Sequence, residues 1–135
     1  MAVQLSVTVR NARLDAIETA VGTSAIMKIF TGSAPANCAA ADSGTVLATL
    51  NLPSDWMAAA SSGSASKSGT WEDTSADNTG TAAHFRLYAS NGTTCHMQGT
   101  VTATGGGGDM TVDNTSFNSG QTFTVTTFTL TDGNA

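Results

Sequence analysis

Ala83-His84-Phe85-Arg86-Leu87-Tyr88-Ala89-Ser90, then Asn91-Gly92, then Thr93-Thr94-Cys95-His96-Met97-Gln98-Gly99-Thr100-Val101-Thr102 read together as a β-hairpin. Successive side chains of a strand point to opposite faces, so a strand with one buried face shows period-two alternation. On that rule Phe85, Leu87 and Ala89 share one face, and His84, Arg86, Tyr88 and Ser90 share the other. Asn91-Gly92 tolerates the positive φ that a two-residue hairpin turn demands. Such a turn pairs Ser90 with Thr93 and sets His84 near Gly99, not opposite His96.

Working outward, the same punctuation recurs. Downstream, the Gly105-Gly106-Gly107-Gly108 run reads as a flexible turn before Met110-Thr111-Val112. Residues 122–131 alternate again, but the Thr126-Thr127 pair shifts the phase by one, which predicts a bulge or a crossing between sheets. Upstream, residues 25–31 and 45–52 are β-branched runs bounded by Gly32 and Pro53. Residues 33–44, with Pro35, Asn37 and Asp42, read as a loop, and the small-residue segment 58–69 as a long surface loop. Six or so short strands at regular spacing predict a mainly β fold, a β-sandwich or jelly roll.

The N-terminus carries two periods at once. Val3, Leu5, Val7 and Val9 alternate as in a strand, whereas Leu5, Val9, Ala12, Ala16 and Ala20 recur at helical spacing, with Leu14, Ile17 and Val21 widening the stripe. Ser6 suits an N-cap and Gly22 a stop, so one α-helix is expected over about 6–21, ahead of a β-domain over about 24–132. The whole of 1–135 is expected to form a single domain.

Composition narrows the function. The chain has 135 residues, including 23 Thr, 21 Ala, 14 Ser and 14 Gly, and a formal net charge of −5. Charged residues make up 11%, against about 25% in an average globular domain. No apolar run approaches the roughly 20 residues of a membrane helix. An acidic chain offers no basic field for a nucleic acid. Met1-Ala2-Val3-Gln4-Leu5-Ser6 lacks the charged and apolar regions of a secretory leader. Cys38 and Cys95 are accordingly expected to stay reduced.

Catalytic and metal motifs are hard to assemble from these residues. His84 and His96 are the two histidines, on separate arms of the hairpin, and no Gly-x-Ser-x-Gly elbow accompanies them. A surface or interface histidine is the better reading of both. Adjacent Cys95 and His96 would point to opposite faces of a strand, which is poor geometry for one ion. Asp109, Asp113 and Asp132 are loop carboxylates outside any calcium-loop pattern. The glycine run lacks the Gly-Lys-Ser/Thr ending of a phosphate loop. No enzyme, cofactor or metal is therefore expected. Trp56, Trp71 and Tyr88 either form an exposed sugar-stacking platform or plug the edges of the core, the second being favoured in a chain with so few aromatics.

Four stretches carry a resemblance: Leu14-Asp15-Ala16-Ile17-Glu18-Thr19-Ala20-Val21-Gly22, Ile29-Phe30-Thr31-Gly32-Ser33-Ala34-Pro35-Ala36-Asn37-Cys38, Gly44-Thr45-Val46-Leu47-Ala48-Thr49-Leu50 and His84-Phe85-Arg86-Leu87-Tyr88. Together they resemble small virion structural proteins of tailed bacteriophages. The resemblance lies in composition and phrasing over most of the chain and brings no functional residues with it. It implies a virion component assembled in the bacterial host cytoplasm, of the capsid decoration (cement) type. Its implied partners are the major capsid protein or other virion proteins, and it implies a homo-oligomer.

Charge is consistent with a docking role for the first helix. Arg10, Arg13 and Lys28 against Asp15 and Glu18 make residues 1–28 locally positive, while the remainder is acidic. Leu5, Val9, Arg10, Arg13, Leu14 and Ile17 are the candidate interface, unless the helix simply closes one side of the sandwich. The competing functions are a tail or head–tail junction subunit and a carbohydrate-binding β-sandwich module.

Overall fold

The computed structural model describes residues 3–133; Met1, Ala2, Asn134 and Ala135, part of the leader and domain readings above, lie outside the described residues. Ser6 opens helix α1 (Val7–Val21) as a cap. Its backbone is extended, and its hydroxyl accepts the Val9 N–H at 3.2 Å. Gly22 closes the helix at φ 98°, where a side chain would be strained, and its N–H donates to the Glu18 carbonyl. The cap and stop thus prevail over the strand-like alternation of the first valines.

The face that α1 buries is not the expected stripe. Leu14 and Val21 are buried and Ile17 packs beside them, whereas Val9, Ala12, Ala16 and Ala20 face solvent. Burying Leu, Ile and Val removes far more apolar surface from water than burying three alanines, and that difference sets the rotation of the helix.

Ten strands follow among the described residues: β1 (Ile26–Phe30), β2 (Val46–Asn51), β3 (Ser64–Ser66), β4 (Glu72–Asp73), β5 (Gly80–Thr81), β6 (His84–Tyr88), β7 (Cys95–Ala103), β8 (Met110–Val112), β9 (Ser116–Phe117) and β10 (Phe123–Thr131). The protein is mainly β with one N-terminal helix, a β-sandwich-like fold. The main ladder runs β2-β1-β6-β7-β8-β10-β3, with β4 also paired to β10, and β5 pairs with β9 apart from it. The sheet doubles back on itself. Phe85 of β6 meets Phe128 of β10 edge-on at 5.6 Å between ring centroids, although β7 and β8 lie between them in the ladder. On the far side, the Thr49 N–H of β2 donates to Asp73 Oδ2 of β4 at 2.9 Å, and the Asp77 N–H donates to the Leu47 carbonyl. Trp56, Trp71, Ile29, Leu47, Leu50 and Phe123 are buried in the core enclosed this way.

Local geometry corrects three expectations. The hairpin register holds at Tyr88–Cys95, but a bulge at His96 then shifts it, so His84 faces Thr100. Its loop is also wider than two residues. Ala89 pairs with Thr94, and the Asn91 side chain accepts the N–H groups of Thr93 and Thr94. The tight two-residue turn occurs instead at Ser62-Gly63, both at positive φ, where Ser61 and Ser64 exchange backbone hydrogen bonds. The segment read as a long surface loop is therefore a small hairpin, and its β3 arm pairs with β10.

The third correction is the glycine run. β7 and β8 are parallel, and their connection takes only residues 104–109. Parallel neighbours ordinarily need a crossover of a dozen residues or more. Here Gly105 and Gly107 adopt positive φ, and Gly106 and Gly108 pass so close to Thr102 that a Cβ on either would sit 2.8 Å from its side chain. The run is a compressed reversal fastened by the Thr102 hydroxyl, which accepts the Gly108 N–H at 3.0 Å. The Thr126-Thr127 phase shift appears as expected, as a register break between Val125 and Thr127.

Candidate functional site

The residues singled out in the sequence fall at three places. Trp56, Trp71 and Tyr88 are all fully buried, so the sugar-stacking platform is not formed. Trp56 donates its indole N–H to the Gly22 carbonyl, Trp71 donates to Ser68, and the two rings lie 6.1 Å apart within the core. Large rings with internal partners for their N–H groups bury more surface than any aliphatic alternative, and the core takes them.

The candidate interface on α1 splits in two. Leu14 and Ile17 pack on the protein's own core. Arg13 Nε meets Asp132 Oδ2 at 3.2 Å, and Arg10 Nη1 donates to the Asp132 carbonyl at 3.2 Å. Asn11 and Asp15 add acceptors for the Gly63 and Ala60 N–H groups. Glycine suits position 63 because its φ is 75°, and a Cβ there would displace the Arg10 guanidinium. Four side chains of α1 are thus committed to the 58–66 hairpin and to Asp132. Leu14 and Ile17 are corrected from a docking face to an anchor in the protein's own core, while Arg10 and Arg13 pair with Asp132 and Arg13 stays exposed. Leu5 is half-buried, and Val9 remains exposed.

The polar side of the opening hairpin forms the densest cluster. All of β6 is buried, including His84 and Arg86, so His84 is not the surface histidine expected, whereas His96 is exposed. Residues 32–44 lie across this face. A charge that leaves water is costly unless partnered; the loop partners both Nη groups of Arg86 and leaves Nε without a hydrogen bond. Arg86 donates to Asp42 Oδ1 at 2.5 Å and to the carbonyls of Asn37, Cys38 and Ala40 at 3.0–3.3 Å. Tyr88 donates its hydroxyl to the same Asp42 oxygen at 2.5 Å. Gln98, opposite Arg86 on β7, donates to the Pro35 carbonyl. His84 Nδ1 lies 2.6 Å from the Gly32 carbonyl; since a carbonyl only accepts, that nitrogen carries the proton. Its ring stacks on Phe30, 5.0 Å away and nearly parallel.

Charge states follow from this packing. Burial works against the Arg86 charge, but Asp42, Cys95 and Tyr88 outweigh it and hold the guanidinium above its ordinary value. Burial, then Asp42, pushes the Tyr88 phenol well up. The Cys95 thiol is pushed up to about 11, first by burial and then by Cys38 beside it. A neutral phenol and a neutral thiol thus stand beside one ion pair. The sequence reading missed Asp42, Gln98 and the meeting of the two cysteines; the visible signal was His84, Arg86 and Tyr88 on one face of a strand.

Among the described residues no group of three or more His, Cys, Asp and Glu side chains is arranged to hold a metal ion, and no helix is long and apolar enough to cross a membrane. Among the described residues the large apolar side chains left in solvent are Val3, Val7 and Val9, exposed by 80, 45 and 44%. A scan of protein-family models, a search of curated proteins and a search of solved structures each find no match to this chain.

Proposed function

We propose that the protein is a structural subunit of a tailed-bacteriophage virion, a capsid decoration protein that docks on the major capsid protein and associates with its own copies. The observation that carries this reading is the exposure of Val3, Val7 and Val9 at and just before the start of α1. Val3, Val7 and Val9 gather at one end of a molecule whose other large apolar groups are buried or partly buried among the described residues. Large apolar groups left in water at one end of a molecule give a partner protein apolar surface to cover. The chemistry-bearing side chains support the same reading, since Arg10, Arg13, Arg86, Tyr88 and His84 all hold the protein's own loops in place. No enzymatic role is proposed. With Trp56 and Trp71 inside, the carbohydrate module loses its main support.

Replacing Val7 and Val9 by Asp tests the docking role. Both positions lie in the first turn of α1, where a carboxylate is favourable towards the helix dipole, so the double variant should melt within a few degrees of the parent. Co-sedimentation with heads assembled without this chain should show the parent binding in numbers that scale with the capsid subunit, and the variant not binding. Binding only to tails, or as a small ring at the neck, would replace the decoration role with the junction role. Failure to bind any particle would overturn the virion reading.

A further inference from the structure

We infer that Cys38 and Cys95 form an intramolecular disulfide when the folded protein meets an oxidising small-molecule disulfide, and that this bond staples the 32–44 loop to β7. The inference is independent of where the protein resides.

Two unconnected parts of the fold bring the thiols together. Cys38 sits on the loop, and its backbone is held on both sides, because Arg86 Nη2 takes the carbonyls of Asn37, Cys38 and Ala40. Cys95 starts β7 as the cross-strand partner of Tyr88, and directly paired residues project on the same face of a sheet. Tyr88 points into the loop, where its hydroxyl meets Asp42. Cys95 is thereby aimed at the same loop, where its thiol donates to the Met97 carbonyl at 3.4 Å and lies near Cys38. Both cysteines are free and half-buried, so a small reagent reaches them without unfolding.

The chemistry is two successive thiol–disulfide exchanges. The first exchange takes place at Cys38 on the loop and the second at Cys95. The Cys38 thiolate bonds to one sulfur of the reagent and expels the other as a thiol, leaving a mixed disulfide. Cys95 then loses its proton and attacks Cys38 Sγ, forming the 38–95 bond and expelling the second reagent thiol. One reagent disulfide is reduced to two thiols, and the protein loses two hydrogens. Two features favour the second step. Capping Cys38 removes the neighbour that suppresses Cys95 ionisation, and the adjacent Arg86 guanidinium favours the thiolate. A bond between positions so far apart in sequence restricts the unfolded chain strongly, while the loop is already in its bonded place.

The full chain incubated with oxidised glutathione, then denatured and alkylated, tests this. The expected product has lost two hydrogens and takes up no alkylating reagent. Its tryptic digest should join the fragment ending at Lys67 to the one beginning at Leu87. Its thermal midpoint should lie about 10 °C above that of the reduced protein. Cys38→Ser and Cys95→Ser should each abolish the oxidant-dependent rise while melting like the reduced parent. Glutathione retained on both cysteines, or bonds formed only between chains, would overturn the assignment. A bridged protein whose midpoint does not rise would overturn the stapling of the native loop.

Discussion

Two parts of this molecule serve as covers, and they are fastened by different physics. Helix α1 lies over the β3 hairpin and the end of β10, anchored by Leu14, Ile17 and Val21 in the core and only secondarily by Arg10 and Arg13 at Asp132. The 32–44 loop lies over the polar face of β6 and β7 and brings Ala, Pro, Ser and Gly, but no large apolar group. Its attachment is a set of hydrogen bonds from Arg86, Tyr88 and Gln98, with His84 at one end. Hydrophobic anchorage is non-directional and shared with the whole core, so losing it should be felt everywhere. A polar attachment depends on a few directed contacts, so losing it should be felt locally.

The strongest way to break the contrast is to remove α1 altogether. Burial of Leu14 and Val21, with Ile17 beside them, contributes about 1.5–3 kcal/mol for each fully buried side chain. The sum is on the order of 5 kcal/mol, a large share of the 5–15 kcal/mol that stabilises a typical domain. The deletion also takes away the Gly22 carbonyl that accepts the Trp56 N–H. A chain lacking residues 1–22 should melt about 15 °C lower, or show no cooperative transition by circular dichroism. A truncated protein melting within a few degrees of the parent would mean that α1 adds nothing to the core.

Arg86→Met probes the other cover. Removing one member of a buried ion pair costs about 3–5 kcal/mol when the survivor stays buried. Asp42 is not trapped in that way, its side chain being 42% exposed, so it rehydrates as the loop lifts. The expected cost is about 2–3 kcal/mol. Amide exchange should quicken across 32–44 while β1 and β2 stay protected. Equal loss of protection throughout the sheet would show that the loop is as integral as the helix, and the contrast would fail.

How much of this was legible follows the same division. Apolar alternation marked β6 and β10, bounded β-branched runs marked β1 and β2, the Thr126-Thr127 step marked the bulge, and Ser6 and Gly22 marked the ends of α1, because each is a local rule written in adjacent residues. The rotation of α1 was not legible, since it depends on which side chains the core best accommodates. Nor was the polar face of β6. Alternation shows that His84, Arg86 and Tyr88 share a side, but only a loop some forty residues earlier, bringing Asp42 and three carbonyls, makes that side an interior. The two cysteines meet for the same non-local reason.

The smallest effect expected sits at the edge of the helical cover and sharpens the comparison through pH. Glu18 lines a groove with Asp15, Asp55 and Met57. Burial raises its pKa above the ordinary carboxyl value, and Asp55 beside it adds to the rise, against the N–H groups of Met57 and Trp56 that favour the charge. A folded-state carboxyl with a raised pKa binds its proton more tightly than the unfolded chain does. Stability therefore falls as pH rises from the ordinary carboxyl value through the raised one, and the deficit persists at neutral pH. Glu18→Gln removes that deficit while keeping a polar group for the same N–H donors. Solvent screens this partly exposed site, so the gain at pH 7 should be no more than about 0.5 kcal/mol. It should vanish below the ordinary carboxyl range, where the parent Glu18 is itself neutral. Parallel melting curves of parent and variant across pH 3.5–7.5 read this directly. A variant less stable than the parent at neutral pH would mean that the Met57 and Trp56 contacts outweigh burial and Asp55, and that the ionised carboxylate is itself one of the fastenings of α1.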